Sequence, residues 1–201
     1  MSLKRGTSAI VGVAESDIGE VARGMTPLDL MAQGITRALD DSGLSLRDVD
    51  GLFGAATQSR MVTLALREYL GIQPRYGDST YLGGSSFMTH VAHAHAAIEA
   101  GLCDVAVITY GSTQRSDGRS ATGAREINPY ETPFRPFMPS TAYALAASRH
   151  MHEFGTTRRD LAEVAVAARA WAQLNPEAFM RDPLSIDDVL KARMVSDPLS
   201  V

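Results

Sequence analysis

Four residues, Gly83-Gly84-Ser85-Ser86, stand between a segment of strand character and a long helical pattern, and chemistry is best placed there. A turn that feeds a strand into a helix presents its residues to the helix's positive end. Backbone N–H groups at that end stabilise an anion or an acidic nucleophile. Ser85 and Ser86 carry hydroxyls, but a serine nucleophile needs an activating base, and no histidine is placed by local sequence to serve. Both serines are expected to cap the helix instead. Gly83, Gly84, Ser85 and, further on, Ser112 are the candidate substrate-binding positions. His90, His93 and His95 lie on the helix itself. The first two could share a face, and Glu99 is one turn beyond His95. No carboxylate or cysteine joins them at ligand spacing, so packed or dimer-facing imidazoles are expected and no metal. Cys103 lies beyond the helix and reads as a small buried hydrophobe. It is the single cysteine, which excludes an intramolecular disulfide. Arg115, Arg119, Arg125 and Arg135 fall in an irregular stretch. Solvated loop charges are expected of them, with contact to phosphates as the alternative.

The elements that must hold these residues alternate between strand and helix. Ala9–Ala14 is an apolar run of buried-strand type. Thr26-Pro27-Leu28-Asp29 opens a helix with a cap, a proline at the first position and an acid near the positive end; Leu28, Met31, Ile35 and Leu39 follow at helical spacing, and Gly43 closes it. Asp50–Gly54 is a weak strand, and Met61–Leu70 is a helix stopped by Gly71. Tyr76–Leu82 reads as a strand into the turn, and Phe87, Val91, Ala94 and Ile98 form the stripe of the next helix, which Gly101 ends. Val105–Ile108 is the clearest strand. This alternation implies a mostly parallel sheet with helices on both faces. Ser112–Pro139 then runs without periodicity, which in a compact domain points to function or to wrapping a neighbour. Helices resume over Ser140–Phe154, from Thr157, where Thr-Arg-Arg-Asp makes a capping-box pattern, and at Ser185. Leu161, Val164, Ala165, Ala168, Trp171 and Ala172 share one face of the second, which reads as packing.

Composition narrows the function classes. The chain has 201 residues, 45% of them hydrophobic and 21% charged, with a formal net charge of −4 and no block of like charge. A nucleic-acid or anionic-membrane surface would need clustered Lys and Arg, and neither partner is expected. No apolar run approaches the ~20 residues of a membrane span and no apolar leader is visible, so a cytoplasmic protein is expected. A dinucleotide fingerprint should follow the first strand and open the first helix. Gly12 and Gly19 are too far apart for it, and the helix starts only near Thr26.

Three segments resemble the thiolase superfamily. AIVGVAESDIG, TPLDLMAQGITRALDDSGL and DVDGLFGA are similar to a thiolase N-terminus. STYLGGSSFMTHVAHAHAAIEAGLCDVAVITYGSTQRS is similar to the nucleophile strand, its helix and the next strand. The region from HMHEFGTTRRDL to ARMVSDPL resembles the loop region of the sterol-carrier-protein-type, lipid-transfer branch. The resemblance implies a thiolase-like α/β sheet domain over 1–111, a helical loop domain over 112–201, and a second, similar half that this chain lacks. The chain therefore reads as a fragment, inactive alone. Counting back from Gly101 puts Gly84 where the family carries its nucleophilic cysteine. A glycine there resembles the thiolase-like aldolases acting on steroid side-chain CoA thioesters. The resemblance implies retro-aldol cleavage of an acyl-CoA with no tightly bound cofactor, the catalytic acid and base lying in the second half. It also implies a homodimer paired through Tyr76–Leu82 and a small zinc-ribbon/OB-fold partner. The alternatives are a non-catalytic acyl-CoA or lipid-binding subunit, and a conventional acyltransferase using another residue.

Overall fold

The structure, a computed structural model, describes residues 4–59, 61–117 and 129–201. The chain divides into two compact units, Met1–Arg125 and Glu126–Val201. In the first, α1 (Pro27–Ser42) starts at a complete capping box: the Thr26 side chain accepts from the Asp29 N–H while Asp29 accepts from the Thr26 N–H. It ends at Gly43 in the left-handed conformation. Then come β1 (Gly51–Gly54), α2 (Val62–Leu70), β2 (Tyr76–Asp78), α3 (Ser86–Glu99), β3 (Ala106–Thr109) and a short α4 (Gln114–Asp117).

The three strands form one parallel sheet in the order β2-β1-β3, with Gly51 opposite Tyr76 on one side and Ala106 on the other. Central β1 is buried throughout. Successive strand residues point to opposite faces, so Leu52 packs with Met31, Ile35, Leu39, Val62 and Leu66 under α1 and α2, while Phe53 packs with Ala94, Ala97 and Cys103 under α3. Each such buried large side chain contributes ~1.5–3 kcal/mol. Helices thus cover both faces, as the alternation implied.

Two expectations change. Ala9–Ala14 is not a strand: it runs without a sheet partner among the described residues, and Ile10, Val11 and Val13 are exposed. It lies against α1, where the Val13 N–H donates to Asp41. The strand before the turn stops at Asp78, because Asp78 accepts from both the N–H and the hydroxyl of Thr80 and so bends the chain out of the ladder.

The second unit holds α5 (Ser140–Phe154), α6 (Arg158–Leu174), α7 (Ile186–Lys191) and a hairpin of β4 (Met194–Ser196) with β5 (Leu199–Ser200). The Thr157–Asp160 and Ser185–Asp188 boxes start α6 and α7. On α6 the inward face is Leu161, Ala162, Ala165 and Ala172; Val164 and Trp171 lie outside it, 69% and 75% exposed, so the packing read for Trp171 is corrected.

Candidate functional site

All three parallel strands end at the same edge, and the loops leaving them carry the candidate residues. Ligands of open α/β sheets bind at such an edge. From β2 the chain reaches the turn, whose shape rests on Ser86. This side chain is fully buried; its hydroxyl donates to the Gly83 carbonyl at 2.7 Å and accepts the Leu82 N–H at 2.8 Å. Gly83 adopts φ +66°, a conformation that favours glycine. Ser85 occupies the N-cap position without a side-chain capping bond, so only its backbone serves the helix start. The expectation that both serines cap is corrected: Ser86 ties the turn, and Ser85 is exposed. A Cβ on Gly84 would meet nothing within 4 Å among the described residues.

Cys103 is remote from this turn in role as well as sequence. It is fully buried, packed so tightly on Gly51 that a Cβ there would lie 2.9 Å from its sulfur. Burial, then the neighbouring Asp50 carboxylate, push its thiol above the usual range. That is the opposite of an activated nucleophile.

The histidines separate rather than cluster. His90 is buried, its Nε2 donating to the Thr80 carbonyl at 2.9 Å, which leaves Nδ1 as an acceptor without a partner among the described residues. The buried stripe of α3 is therefore Ser86, His90, Ala94 and Ala97, turned from the expected one, and Val91 is 38% exposed. His93 Nδ1 donates to Asp78. Burial alone would raise the Asp78 carboxyl, but hydrogen bonds from His93 and Thr80 outweigh it and hold it below its usual value. His95 meets Ser8 at 2.8 Å. No group of three metal-ligating side chains forms among the described residues.

The loops after β1 and β3 are stitched together. Gln58 accepts from the Ser112 hydroxyl and the Thr113 N–H, and donates to the Thr113 hydroxyl at 2.9 Å; Thr113 in turn donates to Asp117. Ser112 is thus engaged within the protein. Arg115 pairs with Glu20 at 3.6 Å, Arg135 is exposed at φ 47°, and Arg119 and Arg125 lie outside the described residues. Surface cavities of about 690 and 420 Å³ are lined by residues such as Arg23, Gln33 and Tyr69, and Tyr76, Asp78 and His93; neither includes the turn. Sequence reading missed the Gln58–Thr113 and Asp78–His93 pairs, whose partners are far apart along the chain and of unremarkable type.

No protein-family model matches the chain. It is 32% identical over 206 aligned residues to the 17-hydroxy-3-oxo-4-pregnene-20-carboxyl-CoA lyase of Mycobacterium tuberculosis, an alignment covering 96% of this chain and 53% of the relative. Among solved structures it is similar to a chain of the Ltp2-ChsH2(DUF35) aldolase, with TM-score 0.79, 26% identity, and coverage of 96% of this chain and 50% of that one. A monomeric SCP2-thiolase like protein from Mycobacterium smegmatis shares the fold at TM-score 0.69 and 22% identity, over 94% of this chain and 41% of that one. These relatives are thiolase-superfamily members that cover this chain closely, and the chain has the thiolase-like fold. It spans about half the length of the curated relatives it matches. At the α3 start of this chain, Gly83, Gly84 and Ser85 are exposed and Ser86 is buried.

Proposed function

We propose that this thiolase-superfamily chain contributes the first half of an enzyme that cleaves a C–C bond in an acyl-CoA by a retro-aldol step, without an acyl-enzyme. One observation carries this: the α3 turn holds no thiol, Gly84 having no side chain, while the only cysteine is buried elsewhere with its ionisation suppressed. The names of its relatives, a carboxyl-CoA lyase and an aldolase, support the same reaction class.

In the cleavage direction a base removes the β-hydroxyl proton of a β-hydroxyacyl-CoA. The Cα–Cβ bond breaks, its electron pair forming the enolate of the shortened thioester, and a ketone leaves; protonation of the enolate at Cα completes the reaction. The first-turn amides of α3 and the space above Gly84 receive the thioester, and oriented donors stabilise the enolate oxygen. Coenzyme A enters as part of the substrate, and no tightly bound cofactor is needed. The acid and base are assigned to the half that this chain does not include. The DUF35 protein in the related aldolase supports a partner subunit of that type, and the outer edge of β2, which has no strand beside it among the described residues, supports a homodimer formed there.

The test uses the full-length protein with its partner and a CoA thioester bearing a tertiary β-hydroxyl. A ketone and a shortened acyl-CoA are expected, with the intact protein mass unchanged during turnover. A covalent acyl adduct in the Gly83–Ser86 segment would overturn the mechanism. Binding without product would favour a binding subunit.

A further inference from the structure

We propose that Tyr110 is a substrate-contacting residue of this site, its phenol hydroxyl donating a hydrogen bond to an oxygen of the acyl-CoA held at the Gly83–Ser86 turn. This rests on the reading of the turn as a thioester site. Tyr110 follows the last residue of β3, at the edge where the three parallel strands end. Its backbone is pinned on both sides by α1. The Thr109 hydroxyl donates to the Met31 carbonyl at 3.4 Å, and Gly111 approaches so closely that a Cβ would lie 2.3 Å from the Pro27 carbonyl oxygen.

Thr109 is buried on the α1 side, so the next side chain along the chain is directed to the other face of the sheet. There the Tyr110 ring meets Phe87 edge-on, with centroids 5.1 Å apart and planes at 62°. Phe87 directly follows Ser86, the residue that ties the turn. The tyrosine ring is therefore held against the residue that follows the turn, and Tyr110 as a whole is 49% exposed. Among the described residues no hydrogen bond engages its hydroxyl, whereas that of Tyr69, on α2, donates to Asp29. A tyrosine whose ring is held and whose polar tip is uncommitted at a strand-end site is a donor set for a ligand.

In the proposed cleavage, negative charge gathers on the thioester oxygen as the Cα–Cβ bond breaks. A phenol donor there strengthens its bond in the transition state and keeps its proton throughout. Removing one such donor lowers kcat by about 100-fold. Y110F keeps the contact with Phe87 and deletes only the hydroxyl, so the fold is retained and the melting temperature stays that of the wild type.

The experiment measures turnover of a β-hydroxyacyl-CoA by the full-length protein with its partner, alongside calorimetric binding of an acyl-CoA lacking the β-hydroxyl. A fall of about 100-fold in kcat with KM changed less than about 3-fold supports the assignment. Equal kcat in Y110F and wild type overturns it. If the wild type itself shows no turnover, the retro-aldol reading fails, and binding decides Tyr110: a Kd weakened about 5-fold or more upholds the contact, and an unchanged Kd removes it.

Discussion

Gly84 and Ser86, two residues apart, respond oppositely to substitution. An added side chain at Gly84 meets open space and requires no left-handed backbone. G84C is therefore expected to fold and to place a thiol at a helix start, where thiols ionise readily. Native alkylation with iodoacetamide, read by intact mass, should give one adduct on G84C and none on the wild type, because Cys103 is buried with its thiol pushed up. Labelling of wild-type Cys103 would contradict the buried assignment. At Ser86, removal of the hydroxyl leaves the Leu82 N–H and Gly83 carbonyl without their described side-chain partner. S86A should lose about 1–3 kcal/mol in denaturant unfolding, while S85A stays within about 0.5 kcal/mol. The turn itself was legible, since Gly-Gly-Ser-Ser between strand and helix patterns has few other meanings. Which serine does the tying was not, because that depends on the rotation of α3 about its axis, set by Phe53 and Cys103 beneath it.

At the scale of elements, helix starts were the most readable features. Thr26–Asp29, Thr157–Asp160 and Ser185–Asp188 all form reciprocal boxes, an interaction contained within four consecutive residues. Strand identity was less readable, because a strand is defined by neighbours. Ala9–Ala14 has the composition of one and no ladder beside it among the described residues. His90 was hidden for a related reason: a buried imidazole breaks the apolar pattern, and the Thr80 carbonyl that accepts from its Nε2 lies beyond the helix. The sheet's other end has its own polar fastening. Asp50 accepts the N–H groups of Asp104 and Val105 and pairs with Arg75. Burial raises its carboxyl, but the Val105 N–H and Arg75 outweigh that and leave it below its usual value. A carboxyl depressed in the folded state stabilises above its unfolded range, and that stabilisation is lost as pH falls through its folded value. D50N should therefore cost about 1–3 kcal/mol at neutral pH, nearly all from the two backbone donors since Arg75 is half-exposed, and the deficit should shrink as pH falls from neutral to below the ordinary carboxylate range. Urea unfolding of both proteins across that range decides it; a pH-independent gap would show that the carboxylate charge is irrelevant.

For the molecule as a whole, the exposed apolar side chains are the measurable consequence. Ile10, Val13, Met88, Val164, Trp171 and Leu174 are all exposed. The isolated chain should bind a hydrophobic dye such as ANS and sediment as species larger than a dimer, and the full-length protein should bind little dye and stop at the dimer. Equal dye binding by both would mean that the remainder covers none of these faces. Composition and periodicity made the α/β class and the two-sided sheet legible; the stitching of Gln58 to Thr113 and the seat of Tyr110 were not, since each joins separate elements through contacts that only the folded chain creates. One close approach reaches further. Gly12 and Gly111 grip α1 from either end, where a methyl group would press within 2.2 Å of the Ala38 oxygen and 2.3 Å of the Pro27 oxygen. In a saturation library sorted for cellular abundance, both codons should be nearly invariant while codon 84 drifts freely. Glycine would then be guarded where it wedges a helix into place, and optional at the turn that leads into α3.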